Sequence, residues 1–386
     1  MVAIESCTAY EYDAVRAAVE SVFAKFGGIS RIVPKGSKVL LKPNLISKKK
    51  PEEAATTHPL IVRAVAELCF GAGAESVLIC ESPGGLYDKN VLKAVYRVSG
   101  MEQAAAESGA ELNYDTGVAK VDNPEAMYQK SLEILAPIAA ADVVIDLAKL
   151  KTHGMMVYTG AVKNMFGAIA GVEKAEYHCK MPDYTAFANT LIDIFLAAKV
   201  KFSLIDAITG MHKDGPTAGE PIDMGLLIGS DNAFEADRAA LEIIGAPCDR
   251  VPMAKAAIAR GLMCASASEL EISGVPLEAA RRKEFVVRYN DSQANLYFVK
   301  DGVMGNVLRS SLQAKPVFTS DCRACGECAR SCPVKAITVE PGENGKRGRA
   351  RADLKLCIRC FCCQELCPFK AVKIRRSMLG KIVSKL

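Results

Sequence analysis

Two cysteine runs near the end of the chain constrain its fold more than any other feature. Residues 322–333 read CRACGECARSCP and residues 357–368 read CIRCFCCQELCP, so each contains C-x2-C-x2-C-x3-C followed by proline. Thiolates at this spacing wrap a cubane, and the fourth cysteine of each run ligates the other cluster. The pattern therefore predicts two [4Fe–4S] clusters. One uses Cys322, Cys325, Cys328 and Cys367; the other uses Cys332, Cys357, Cys360 and Cys363. Pro333 and Pro368 close the runs, and the small residues Ala324 and Gly326 free backbone N–H groups for cluster sulfur. A zinc repeat uses pairs of C-x2-C; eight cysteines in this duplicated order do not fit it. The chain has 15 cysteines, most of them in this segment, and such density in a long chain points to metal rather than disulfides. A ninth cysteine of the segment, Cys362, sits beside ligand Cys363. It reads as a buried thiol outside the ligand set, with a swapped ligand or a redox-active thiol as alternatives.

The rest of the chain is long enough for a sizeable core. It has 386 residues, 50% hydrophobic and 24% charged. A net charge of +5 is too mild to argue for nucleic acid. The basic runs GKRGRAR (345–351) and KIRRSMLGKIVSKL (373–386) read as solvated faces, or as docking patches for an acidic redox partner or a membrane surface. No apolar run reaches about 18 residues, so no membrane span is expected. The N-terminus lacks a basic segment followed by a long apolar one, so no signal peptide is expected and the protein reads as cytoplasmic.

Residues 1–285 alternate strand and helix. Strands are expected at 38–44, 76–80, 141–153 and 202–210, with a fifth opening the segment 224–245. Helices are expected over 58–74, over 91–110 with a break near Gly100, over 183–199, at the end of 224–245 and over 251–262. This alternation implies βαβ units and a mostly parallel sheet with flanking helices, buried on both faces. Residues 286–315 read as a linker or docking segment, and 316–386 as a small α+β cysteine-rich domain. The expected class is therefore α/β plus a small ferredoxin-like domain.

Ligands of open parallel sheets bind outside the carboxyl ends of the strands. Those ends carry Lys42 and Asn44; Glu81, Ser82, Gly84 and Gly85; Lys149, Lys151 and His153; Asp206, His212 and Asp214; and Gly229 to Asn232. All are polar or glycine-rich, as a shared crevice would be, although strand ends are polar at any surface. Alternation puts residues 149, 151 and 153 on one side of the chain. GMMVYTG (154–160) reads as a flexible loop. Lys163 and Asn164 fall in the first turn of a short helix, whose N–H groups point outward. Small residues nearby would let a ligand approach the backbone. ESPGG (81–85) is neither a dinucleotide fingerprint nor a P-loop, but could present N–H groups to an anion. His58 reads as a helix cap, His178 and Cys179 as a possible metal pair in a polar loop, and Cys7, Cys69, Cys80, Cys248 and Cys264 as small core residues. No hydrolase nucleophile motif occurs.

The C-terminal segment resembles bacterial two-cluster ferredoxins over about 55 residues. With LLKPN, ESPGG, LAKLKTH, GAVKNMFG and DAITGMHKDGP ahead of it, nearly the whole chain resembles the DUF362 family. The resemblance implies a cytoplasmic redox protein of anaerobic-type metabolism, with a large domain of no agreed activity. The first functional reading is an oxidoreductase passing low-potential electrons to an anionic or carbonyl-bearing substrate. In it Lys42, Asn44, Glu81, Ser82, Gly84, Gly85, Lys163, Asn164, His212 and Asp214 bind the substrate. Lys151 or His153 supplies the proton, and Asp206 orients that donor. An electron-delivery protein docking a partner enzyme is the second reading, and a non-redox enzyme with structural clusters the third. The oligomeric state is not legible.

Overall fold

The computed structural model describes residues 1–171, 173–181, 183–289, 313–342 and 348–375. The large domain carries eleven strands among the described residues: β1 (Val2–Ser6), β2 (Lys38–Pro43), β3 (Ser76–Ile79), β4 (Glu111–Leu112), β5 (Val118–Asp122), β6 (Ser131–Leu135), β7 (Val143–His153), β8 (Val157–Thr159), β9 (Phe202–His212), β10 (Glu220–Ser230) and β11 (Ile272–Gly274). The main sheet has the order β11-β1-β10-β9-β7-β2-β3-β4, with β8 paired to β7, while β5 and β6 form a separate hairpin. Strands β9, β7, β2, β3 and β4 run parallel, whereas β10 is antiparallel to both β9 and β1.

The chain goes from β2 outward to β3 and β4, then returns to place β7 on the other side of β2. The order reverses between β2 and β7, and a crevice opens at such a switch point. The carboxyl ends of these two strands carry Lys42 to Asn44 and Lys149 to His153.

Alternation along β7 explains the two cores. Val143, Ile145 and Leu147 join one apolar layer, with Leu41 of β2 and the helices Tyr12–Ala24 and Pro59–Gly71. Val144, Ala148 and Leu150 join the other, with the helices Tyr184–Ala197 and Ala233–Ile243. Each face of β7 is covered, which suits its apolar sequence. The helix Pro59–Gly71 starts with proline and is capped by His58, whose Nδ1 accepts from Leu60 N–H at 3.3 Å. The expected helix break is real: Lys89–Val98 and Met101–Ser108 are separated by Gly100 at φ +80°.

Several expectations need correcting. β10 runs antiparallel, so its end, Gly229 to Asn232, lies at the opposite edge of the sheet from the parallel strand ends. Residues 154–160 are not a loose loop, because β8 folds back on β7 as a hairpin, pairing Lys151 with Thr159. His178 and Cys179 lie in a helix, Glu173–Lys180, rather than in a loop. Cys7, Cys69 and Cys80 are buried as expected, but Cys248 and Cys264 are half-buried. The strands β1, β4, β5, β6, β8 and β11 are short or at edges and gave no clear periodic signal.

Among its described residues the small domain has two strand pairs, β12 (Lys315–Phe318) with β15 (Val372–Arg375), and β13 (Ile337–Glu340) with β14 (Arg349–Ala352). The short helices Glu327–Arg330 and Cys362–Glu365 each carry one or more cysteines. The expected linker at 286–315 lies mostly outside the described residues, as do parts of both basic runs. The domains share a core: Phe361 and Ile374 pack into the same apolar layer as Leu150 and Met155. Gln364 Nε2 donates to the Asp214 carbonyl at 3.1 Å, and Thr217 Oγ1 to the Glu365 carbonyl at 2.9 Å. A Cβ on Gly154 would stand 2.6 Å from Ile374 Cδ1, so any other residue there would have to displace that side chain.

Candidate functional site

The eight repeat cysteines gather in two places. Cys322, Cys325, Cys328 and Cys367 surround one void; Cys332, Cys357, Cys360 and Cys363 surround a second. The fourth cysteine of each run has crossed to the other group, as the spacing requires. The main chain donates to sulfur in matching positions, with Ala336 N–H on Cys332 Sγ at 3.2 Å and Ala371 N–H on Cys367 Sγ at 3.3 Å. Among the described residues, no three His, Cys, Asp or Glu side chains are arranged around a single ion. Four thiols around a void fit a cubane with an iron at each corner. The same observation leaves His178 and Cys179 without the further ligands a metal pair there would need. Cys362 lines the second void too, and its thiol is hydrogen-bonded with that of Cys360.

A cavity of about 700 Å³ lies where the domains meet. The large domain contributes Asn44 after β2, Glu81, Ser82, Gly84 and Gly85 after β3, Lys151 and His153 of β7, and Lys163 and Asn164 of the helix Ala161–Asn164. The small domain contributes Glu365, Cys332 and Cys362. The cavity and the second cysteine void thus share a wall.

Lys151 Nζ donates to Asn44 Oδ1 at 2.7 Å and to the Ala55 carbonyl at 2.6 Å. Both acceptors are neutral. Burial, with Lys163 nearby, pulls this ammonium down to about 7. Its partner is itself held: Asn44 Nδ2 donates to Asn164 Oδ1 at 2.8 Å, and Asn164 Nδ2 to Asp146 Oδ1 at 2.6 Å. Burial pushes Asp146 up to about 8. Lys163 Nζ has no hydrogen-bond partner among the described residues and lies 5.8 Å from the Phe166 ring.

His153 is fixed as one tautomer. Its Nδ1 accepts the N–H groups of Met155 and Met156, at 3.0 and 3.1 Å, so Nε2 carries the proton. Nε2 lies 2.9 Å from Glu365 Oε1 across the domain boundary. Burial, with Lys163 adding to it, lowers His153 to about 4, so it is neutral near pH 7. Burial would raise Glu365, but His153, Lys163 and His178 outweigh it and hold the carboxylate at about 2.

Other expected site residues go elsewhere. Asp206 does not orient Lys151 or His153; it accepts from Lys149 Nζ at 2.8 Å and from Tyr10 O–H at 2.7 Å, in a closed buried group. Lys149 joins that group because it stands opposite Asp206 in the β7–β9 register; after the register shift that follows, Lys151 stands opposite Met211. Lys42 lies beneath the cavity, paired with Glu81 Oε1 at 2.8 Å. His212 is in β9 and accepts from Val286 N–H at 3.3 Å, while Asp214 pairs with Arg288 at 2.6 Å. Both lie beside the domain contact, outside the cavity. The N–H groups expected to greet an anion are already used. Ala161 and Val162 donate to Asp237, at 2.7 and 3.1 Å, and Ser82 and Gly84 donate to Glu81 and to the Ile46 carbonyl. The small residues serve packing: a Cβ on Gly167 would meet Lys42 Nζ and Glu81 Oε1, both at 2.4 Å.

Sequence reasoning missed Lys174, Glu365 and Asp237. Lys174 Nζ donates to the Ser82 carbonyl, lines the cavity, and is pulled by burial to about 7. It lies 6.0 Å from the same Phe166 ring that Lys163 faces. Glu365 was hidden among the cysteine ligands.

The family description "Domain of unknown function (DUF362)" matches residues 39–242, more than half of the chain. The chain belongs to the DUF362 family. A 4Fe-4S dicluster domain matches residues 321–371, so the DUF362 protein is joined to an iron–sulfur domain. The thylakoid-associated protein sll1697 of Synechocystis is 29% identical over 241 residues, 61% of this chain and 71% of that one. NADH-quinone oxidoreductase subunit I 2 of Streptomyces coelicolor is 32% identical over 112 residues, 25% of this chain and 51% of that one. The lactate racemase apoprotein of Thermoanaerobacterium thermosaccharolyticum aligns with a TM-score of 0.39 and 15% identity, over 62% of this chain and 56% of that one. The chain thus spans little more than half the length of the last two. Among the described residues, no helix of this DUF362 protein is long and apolar enough to cross a membrane.

Proposed function

We propose that this DUF362 protein is an iron–sulfur oxidoreductase, reducing an anionic, carbonyl-bearing substrate held between its two domains. One observation carries the reading: Lys151, His153 and Lys163 line the same cavity as Cys332 and Cys362. In this reading Cys322, Cys325, Cys328 and Cys367 hold one cluster, and Cys332, Cys357, Cys360 and Cys363 hold a second beside the cavity. When bound, such clusters supply electrons one at a time. Cys325 is exposed and lines the void farther from the cavity, on the side where a reduced one-electron carrier protein would meet the chain.

Reduction of a carbonyl to an alcohol consumes two electrons and two protons. The electrons derive from the carrier; the protons derive from Lys151 and from water. Lys151 suits the task because its pKa of about 7 is matched to neutral pH. Asn44 and the Ala55 carbonyl aim it, and Asn164 and Asp146 hold Asn44. Lys163 and Lys174 supply the positive field for the substrate's anionic group. His153 orients rather than donates a proton to substrate: its Nδ1 is occupied and its Nε2 lies 2.9 Å from Glu365 Oε1.

The test is single turnover under anaerobic conditions. Reduced protein is mixed with a panel of 2-oxo acids, and recovery of the cluster absorbance is followed. Lys151→Met is expected to slow reoxidation by about 100-fold or more with iron content unchanged. Equal rates in the variant and the parent sink the assignment.

A further inference from the structure

The charges around the cavity do not balance. Lys42 is closed against Glu81 and Lys149 against Asp206, each at 2.8 Å. At the rim, Lys180 pairs with Glu176 at 3.1 Å and Arg330 with Glu327 at 2.7 Å, and Lys335 is exposed to solvent. His153 and His178 are both lowered to about 4 and are neutral near pH 7. Three ammonium groups remain inside, Lys151, Lys163 and Lys174, and none forms an ion pair among the described residues. They come from three elements: β7, the short helix after β8 and the helix Glu173–Lys180. One carboxyl group faces them, Glu365 of the small domain. Like charges gathered away from water are unfavourable unless compensated.

We infer that the cavity is built for a ligand carrying two negative charges, which complete the compensation that Glu365 begins. This rests on reading the cavity as the substrate site. Its volume of about 700 Å³ holds a dianion as small as malonate and bodies several times larger. Phe166, flanked by Lys163 at 5.8 Å and Lys174 at 6.0 Å, offers an apolar face between two of the charges. The ligand class is therefore a dicarboxylate or an organic phosphate with an apolar or planar body.

Proton uptake follows. In the free protein Lys151 and Lys174 sit near 7, lowered first by burial, so both are mostly neutral at alkaline pH. A dianion beside them favours the charged forms and raises both values. Binding then takes up protons above pH 7 and weakens as pH rises further. Facing these groups are Lys42, Lys149, Lys163, Glu81 and Glu365; Lys42 and Lys149 are closed pairs with Glu81 and Asp206.

The experiment is calorimetric titration of the oxidised holoprotein with malonate, which stays doubly ionised from neutral pH upward, and with acetate. Each is run at about pH 7 and about pH 8.5, in two buffers of different ionisation enthalpy. Malonate is expected to bind at least tenfold tighter than acetate, with about one to two protons taken up at the higher pH. Lys174→Met should lower malonate affinity about tenfold and reduce the uptake, with visible absorbance of the clusters unchanged as the check on folding. Equal affinity for the two acids, or malonate binding without proton exchange, overturns the inference. Malonate binding with uptake, in a protein whose reduced clusters pass no electrons to any bound oxo acid, would instead remove the oxidoreductase reading and leave the dianion site standing.

Discussion

Ala324 and Arg359, Gly326 and Phe361, and Lys335 and Lys370 occupy matching places in the two cysteine runs, and all six have φ between +50° and +80°. The repeat in sequence is also a repeat in backbone. Left-handed residues flank Cys325 and Cys360 on both sides, so local backbone shape helps aim these ligands. The cations of the large domain are aimed otherwise. Lys151 depends on Asn44 and Ala55, Lys42 on Glu81, Lys149 on Tyr10 and Asp206, and His153 on a glutamate of the other domain. A local device tolerates change elsewhere in the chain. A device assembled from distant partners fails when any one of them is removed.

Substitutions can break this contrast, and their expected effects descend in order. Cys360→Ser should remove the cluster next to the cavity and leave the other, reducing iron from about eight to about four per chain. Full iron retention would undo the ligand assignment. Lys149→Met leaves Asp206 buried without its cation and should destabilise the large domain by about 3–5 kcal/mol, at constant iron. Denaturant unfolding with cluster absorbance as a second probe separates the two domains' responses. Gly154→Val forces a side chain against Ile374 and Gln364 and should cost about 1–3 kcal/mol. Its signature is easier proteolysis between the domains.

Lys151 gives a subtler effect. Its pKa is about 7 in the fold against 10.5 when free, so the unfolded chain holds this proton more tightly. Its contribution to stability therefore falls as pH drops from above 10.5 toward 7, and levels off below. Lys151→Met should flatten the pH dependence of unfolding in that window, and an unchanged slope would contradict the buried-lysine description. Smallest of all is Cys362→Ser. Both clusters should stay at full iron, because Cys362 lies outside the two sets of four.

Those two modes of construction also decide what the sequence could reveal. The cysteine groups were legible because ligand spacing and backbone conformation repeat together within a few residues. The parallel sheet was legible because strands such as residues 143–150 are apolar on both faces. Nine of the expected large-domain site residues line one cavity, since strand ends at a switch point converge whatever their side chains do. Partnership was not legible. The register against β9, far along the chain, sets Lys149 opposite Asp206 as a closed pair and, after a shift, Lys151 opposite Met211. Glu365 sits between cysteine ligands and Lys174 in a polar stretch, and nothing in their local sequence marks either. Docking of the small domain brings Glu365 to the cavity, and the helix Glu173–Lys180 brings Lys174.

The central claim is that the second cysteine set stands at the wall of the lysine cavity. Electron paramagnetic resonance of the reduced protein, with and without malonate, tests it most directly. A change in the spectrum on adding malonate is predicted for the parent and for Cys325→Ser, which retains the cluster at the wall, and no change for Cys360→Ser, which lacks it. A malonate effect that survives in Cys360→Ser, or is lost in Cys325→Ser, would contradict the account.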